Sequence, residues 1–71
     1  MTKRERFKKI AEQRTNKIIK TISLLGNCAN KANYNYSQEE AGKIFNAIEK
    51  ELKITKNKFE LQQKEEEKFK L

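Results

Sequence analysis

The sequence predicts an all-α protein, an antiparallel helical hairpin of two long helices that completes a four-helix bundle by dimerisation or by docking on a partner. The chain has 71 residues, no Pro and two Gly, and Lys, Glu, Ile and Leu dominate it, which favours helix over sheet. Apolar residues recur at helical spacing on both sides of a single polar junction. The motif Ser-Gln-Glu-Glu at residues 37–40 marks the start of the second helix.

The first helix is predicted from about residue 3 to about residue 29. Its apolar positions lie three, four or seven residues apart, which places them on one face of a helix. These positions are Phe7, Ile10, Ala11, Ile18, Ile22, Leu25 and Ala29. Ile19 and Leu24 lie on opposite flanks of that stripe. A helix with apolar residues on several sides is expected to be covered by more than one neighbour.

The junction is predicted at residues 30–36. The segment from Gly26 to Tyr36 contains one Gly and four Asn. Both residue types tolerate left-handed backbone geometry, so we expect the first helix to end near Ala29 to Lys31 through such a residue.

The second helix is predicted from about residue 37 to about residue 60. Ser37 is expected to accept from the Glu40 amide while Glu40 reaches back, and Glu39 and Glu40 complement the helix dipole. A heptad pattern follows, which Ile44 widens, at Ala41, Phe45, Ile48, Leu52, Thr55 and Phe59. The next positions of the pattern are Gln62, Glu66 and Phe69. We therefore expect residues 61–71 to form a charged helical extension or a frayed tail beyond one hairpin domain at 1–60.

The two stripes match when the helices are antiparallel. The predicted facing pairs are Leu25 with Ala41, Ile22 with Phe45, Ile18 with Ile48, Arg14 with Leu52, Ala11 with Thr55, and Phe7 with Phe59. Two helices alone cannot also cover Ile19, Leu24 and Ile44, whereas a four-helix dimer can. A chain of this size without a disulfide has a marginal core, which also favours a homo-oligomer.

The charge is unevenly distributed along the chain. The net charge is +7. Nine Lys and Arg stand against two Glu before Ser37, and eight Lys stand against eight Glu from Ser37 onward. The whole excess therefore lies in the first half, which predicts an anionic partner for that half.

Seven residues are candidates for binding nucleic acid or a partner: Arg6, Lys9, Arg14, Lys17, Lys20, Tyr34 and Tyr36. Most of the basic ones share an outer face of the first helix with Gln13 and Asn16, which fits either an ordinary solvated face or contact with phosphates.

Arg14 lies in the middle of the apolar stripe. Its stem is expected to pack while its head reaches solvent or pairs with Glu51 or Thr55; alternatively, Arg14 and Lys17 face a phosphate or an acidic partner. Tyr34 and Tyr36 are expected to cover the end of a bundle, with base stacking or docking of a protein as the alternative.

The composition excludes most catalytic and metal chemistry. The chain has no His and no Asp, and Cys28 is its only Cys. We therefore expect no enzymatic activity, no metal, no cofactor and no small-molecule substrate, with Cys28 as a small buried apolar residue. No apolar run approaches membrane-spanning length and no signal peptide is evident, so we expect no membrane contact and a cytoplasmic location.

Three segments resemble a group of small uncharacterised proteins from plasmids, phages and integrative elements of low-GC Gram-positive bacteria. They are Arg14–Ile19 continuing into Leu24–Cys28, Tyr34–Ser37, and Ile44–Leu52. The resemblance covers roughly Arg6 to Phe59. It implies an accessory role in a mobile element, in transfer, replication control or inhibition of host defence, and it assigns no activity to any residue.

The leading hypothesis is a small basic binding module that engages nucleic acid or a nucleoprotein through its first helix. An alternative is an inhibitor or adaptor that docks on an acidic or nucleic-acid-binding protein, for example an anti-defence protein acting on a nucleic-acid enzyme. A further alternative is a structural assembly subunit held together through Ile19, Leu24 and Ile44.

Overall fold

The computed structural model describes residues 1–67 and the side chains of residues 1–63; residues 68–71, with the predicted heptad position Phe69, lie outside the described part. Two helices dominate it: α1 at Lys3–Gly26 and α2 at Gln38–Glu67. A short 3-10 turn, Asn27–Ala29, follows α1 directly. Residues 1–67 contain no strand, so the predicted all-α class is confirmed. The chain forms two compact units, Met1–Asn35 and a second that begins at Tyr36.

Helix α1 begins with a side-chain cap at Thr2. The Thr2 backbone is extended, and its Oγ1 accepts a hydrogen bond from the Glu5 amide at 3.1 Å. The Arg6 amide donates to the Thr2 carbonyl at 3.0 Å and closes the first turn. Glu5 also places a negative charge beside the positive end of the helix dipole.

Helix α1 ends without a left-handed residue, so the predicted mode of termination is wrong. No described residue has a positive φ, and Asn27 stands at φ −67°. The Asn27 amide instead donates to the carbonyls of both Leu24 and Leu25, and the chain tightens into the 3-10 turn. Asn30 then stops the helix, because its side-chain Oδ1 accepts from the Ala32 amide at 3.0 Å while its carbonyl accepts from Tyr34 at 3.0 Å. Asn30 therefore acts through a side-chain hydrogen bond, and Asn27 through its backbone amide, rather than through unusual φ angles.

Helix α2 begins with the predicted capping box. The Glu40 amide donates to Ser37 Oγ at 3.1 Å, and the Ser37 amide donates to Glu40 Oε1 at 2.9 Å. The helix then runs through Glu67, about seven residues past the predicted end near residue 60. Glu, Gln and Lys dominate that last part, and all three are good helix formers even where no apolar stripe supports them.

Neither helix has a buried core along its apolar stripe. None of the side chains at residues 1–63 is buried, and the half-buried ones are Ala11, Leu25, Tyr36, Ala41 and Ile48. Large side chains of the stripes are open, with Phe45 52% and Phe59 62% exposed. Helices are of marginal stability in water when nothing covers their apolar face. The exposed stripes therefore identify where the chain needs a packing partner.

Candidate nucleic-acid interface

The basic face of α1 consists of Arg6, Lys9, Gln13, Asn16, Lys17 and Lys20, all of which are exposed. Helix α1 is unbroken from Lys3 to Gly26, so positions separated by three, four or seven residues stay on one side of it. From Arg6 to Lys20 the face extends about 21 Å at 1.5 Å per residue. Measured along the axis of a DNA duplex, the same length contains about six phosphates of one strand, with roughly 3.4 Å of axis for each phosphate.

Two acidic residues lie at one edge of the basic face. Helix α1 carries eight Lys and Arg and two acids, Glu5 and Glu12. Glu5 precedes Lys9 by four residues and Glu12 follows it by three, so both acids are neighbours of Lys9 on the helix surface. Arg6, Lys17 and Lys20 have no acid three or four residues away in α1, and they produce a positive potential along that side of the helix.

Arg14 lies within the apolar stripe of α1, as its spacing from Ile10 and Ile18 predicts. It is exposed and precedes Lys17 by three residues, so the two cations are neighbours on the helix surface. Because Arg14 is exposed, its guanidinium can be solvated without a compensating carboxylate on α1. The pairing of Arg14 with Glu51 or Thr55 stays a prediction.

The two tyrosines belong to different units. Tyr34 lies in the first unit, is 52% exposed, and donates its amide to the Asn30 carbonyl at 3.0 Å. Tyr36 lies in the second unit, is half-buried and directly precedes the Ser37 cap. The structure thus brings the basic candidates together on α1 and assigns the two aromatic candidates to separate units.

A second apolar line lies on α2, outside the predicted heptad pattern. Ala47, Ile54 and Leu61 are each seven residues apart and all are exposed, with Ile54 at 42% and Leu61 at 57%. Their regular spacing was the available signal, but the stronger pattern through Phe45 and Phe59 obscured it. Thr2 and Glu5 were overlooked in the same way, although they match the motif that identified the start of α2.

Cys28 is exposed in the 3-10 turn, so the expectation of a buried residue is wrong. None of the side chains at residues 1–63 is buried, so this part of the chain offers no packed interior that Cys28 could enter. Within the described residues, no three His, Cys, Asp or Glu side chains are grouped closely enough to hold a metal ion. A surface depression on α2 is lined by six residues of that helix, among them Leu52 and Lys56. It is therefore a groove between side chains of a single helix.

No helix among the described residues has the length and apolar character needed to cross a membrane. Comparison with known proteins adds no relative: no family model matches the sequence, and no match was found among the curated proteins or the solved structures. The case for a function therefore depends on the exposed charge and the apolar faces of the two helices.

Proposed function

We propose that this chain is a nucleic-acid-binding module that contacts the phosphate backbone through the basic face of α1. The observation that carries the proposal is the exposed basic face of one unbroken helix, where four cations share a side that acids border only beside Lys9. Lys and Arg on such a face bind by releasing counterions condensed on the nucleic acid. The resemblance to small proteins of mobile elements supports an accessory role in such an element.

The proposed contact is indifferent to base sequence. The basic face offers cations at Arg6, Lys9, Lys17 and Lys20, and these suit phosphate oxygens, which are the same at every base pair. Arg14 lies beside Lys17 and adds a planar donor group suited to bidentate contact with phosphate. We therefore expect affinity to follow the charge density of the nucleic acid and the salt concentration.

The second part of the proposal is that α1 and α2 pair as an antiparallel hairpin through their apolar stripes. The α2 seam is defined as Ala41, Phe45, Ile48, Leu52, Thr55 and Phe59, and its large side chains are exposed. The register that pairs Ile18 with Ile48 also brings Leu25 opposite Ala41, so a large side chain meets a small one near the junction.

Self-pairing of the α2 seam is the competing arrangement, and charge argues against it. Two antiparallel copies that align this seam would bring Glu49 opposite Glu49 and Glu51 opposite Glu51. Like charges in flanking positions destabilise such a pair. The stripe of α1 has no carboxylate opposite these positions and is therefore the better partner for the α2 seam. A four-helix homodimer then covers the apolar residues that a single hairpin leaves open.

Salt-dependent binding tests the nucleic-acid proposal. Fluorescence anisotropy with duplex DNA, single-stranded DNA and RNA of random sequence should show binding at low salt. The logarithm of the affinity should fall linearly with the logarithm of the salt concentration, with a slope of about 0.9 per phosphate contacted on duplex DNA. The double variant Lys9→Glu/Lys17→Glu should lower the affinity by at least about tenfold and reduce the slope by about two units.

The matched control is Lys43→Glu/Lys53→Glu, which makes the same change of charge at two exposed positions of α2. It should retain most of the binding, because these lysines lie outside the basic face. Equal loss in both double variants would show that only net charge matters and would overturn the assignment of the face. A folded chain that does not bind nucleic acid at low salt would overturn the proposed function. The basic face would then be assigned to an acidic protein partner.

A further inference from the structure

The second apolar line on α2 has a spacing that suits a copy of itself. Ala47, Ile54 and Leu61 form this line, defined here as the heptad line, and Ile54 stands at its centre. The line lies on a different face from the α2 seam, so pairing of the seam with α1 leaves it open. Ile54 and Leu61 are 42% and 57% exposed, and contact with water is unfavourable for both side chains.

Two antiparallel copies of this line match in size. When Ile54 faces Ile54 across a two-fold axis, Ala47 comes opposite Leu61 of the second copy, and Leu61 comes opposite its Ala47. A small residue then faces a large one at both ends. The distance between the two helix axes can therefore stay nearly constant along the interface.

The charges beside the heptad line match in the same register. Glu51 and Lys58 are exposed and lie on one side of the line, three residues before Ile54 and four residues after it. In the antiparallel register Glu51 therefore meets Lys58 of the second copy, and the symmetry makes this pair twice. In a parallel arrangement, Glu51 and Lys58 of the second copy would lie on the opposite flank of the interface, so the Glu51–Lys58 pairs would not form.

We infer that the heptad line of α2 is a homodimer interface, and that its occupant is the same line of a second copy in antiparallel orientation. The complementary size and charge of one register carry the inference. It rests on the homodimer included in the proposed function, but it is independent of nucleic-acid binding. Glu51 and Lys58 select the orientation, and the three apolar residues supply the area that is removed from water.

Sedimentation equilibrium of the full chain at several concentrations tests the interface. Ile54→Glu should raise the dimer dissociation constant by at least about tenfold, because two like charges meet at the two-fold axis. Gln63→Glu is the control, since it adds the same charge to an exposed polar position nine residues after Ile54, on the opposite side of α2 from the heptad line. Circular dichroism of both variants should show the same helicity, so that a loss of dimer is not a loss of helix.

Charge reversal tests the register. Glu51→Lys and Lys58→Glu should each weaken the dimer by about tenfold, because each variant replaces two attractive contacts with two repulsive ones. The double variant Glu51→Lys/Lys58→Glu should restore the dimer, since the pair is then reversed but again complementary. Additive weakening in the double variant would overturn the assigned register.

Disulfide trapping tests the same register without weakening the interface. In a Cys28→Ser background, Ile54→Cys should form a disulfide-linked dimer, because the two side chains meet at the symmetry axis. Ala47→Cys should not, because antiparallel copies separate these two positions by about 21 Å along the helix axis. Equal linkage through Ala47→Cys would overturn the antiparallel arrangement, and a monomer at every concentration would overturn the interface itself.

The two proposals fail separately. Lys9→Glu/Lys17→Glu should lose nucleic-acid binding and dimerise normally. Ile54→Glu should lose the dimer and retain weakened, still salt-dependent binding by the monomer. Normal binding by a protein that never dimerises would overturn only the interface, and a normal dimer without binding would overturn only the nucleic-acid function.

Discussion

Single residues determine where each helix begins. Ser37 and Glu40 satisfy each other's backbone amides, with hydrogen bonds of 3.1 Å and 2.9 Å. Thr2 satisfies the Glu5 amide at 3.1 Å in the same way. The first amides of a helix have no partner within the helix, so these side chains supply hydrogen bonds that would otherwise come only from water. The stability of each helix start can therefore be tested by a single substitution.

Ser37→Ala is expected to lower the free energy of unfolding by about 1 kcal/mol. The substitution removes the acceptor for the Glu40 amide and leaves Glu40 Oε1 as the remaining half of the capping box. Thermal unfolding followed by circular dichroism measures the change. Ser23→Ala makes the same chemical change in the exposed interior of α1 and should stabilise slightly, because Ala is the better helix former. An equal loss in both variants would contradict the role of the cap.

Each of the two helices contains one glycine. Gly26 is the last residue of α1, and Gly42 lies near the start of α2. A Cβ added at Gly42 or Gly26 would meet no heavy atom within 4 Å. Neither glycine has a positive φ. Gly42 therefore increases the conformational entropy that the chain loses on folding, and no contact found within the chain requires a glycine at this position.

Gly42→Ala is expected to raise the free energy of unfolding by about 0.5–1 kcal/mol, because Ala loses less backbone entropy in a helix. Gly26→Ala should stabilise less, since Gly26 is the last residue of α1. Chemical denaturation of both variants gives the comparison. Destabilisation by Gly42→Ala would indicate that another helix approaches this position closely, and it would contradict the open space found around Gly42.

The elements were predicted well where the signal is local. The Ser37–Glu40 motif located the start of α2 because capping depends on residues only three apart. For residues 61–71 the fading apolar pattern left two alternatives, a charged helical extension or a frayed tail, and α2 continues as helix through Glu67. Helix propensity continues through Glu67 even though the stripe does not. The end of α1 was found near the right place but with the wrong geometry, because Asn can stop a helix by either mechanism.

The candidate site was predictable only as far as one helix extends. Periodicity grouped Arg6, Lys9, Lys17 and Lys20 correctly, since a continuous helix keeps such residues on one side. Sequence spacing does not group Tyr34 and Tyr36, which belong to different units. The exposure of Cys28 was missed because burial depends on packing rather than on residue type.

The whole molecule depends on apolar faces that neither helix covers by itself. Isolated helices gain little from propensity alone, so the proposed pairing of α1 with the α2 seam should dominate the cooperativity of unfolding. Ile48 lies at the middle of that seam and is among the half-buried side chains. It is therefore the position at which a charge tests the packing of the whole chain.

Ile48→Asp is expected to abolish cooperative thermal unfolding, because the pairing would bury a charge without a partner. Asn46→Asp is the matched control, since it introduces Asp at an exposed polar position two residues away. The control should keep a cooperative transition measured by circular dichroism and calorimetry. If Ile48→Asp unfolds like the control, the seam lies elsewhere and the proposed hairpin is wrong.

The capped start of α1 also has a consequence in time. Ribosomes add roughly 5–20 residues per second, whereas a helix of about 20 residues forms in roughly 0.1–1 μs. The hydrogen bonds that start α1 and end it all lie within residues 1–34, and α2 runs on to Glu67. During synthesis the residues that bound α1 are therefore all present before most of α2 has been made. The apolar stripe of α1 then waits for its proposed partner, and the pairing can close only after synthesis has reached Phe59.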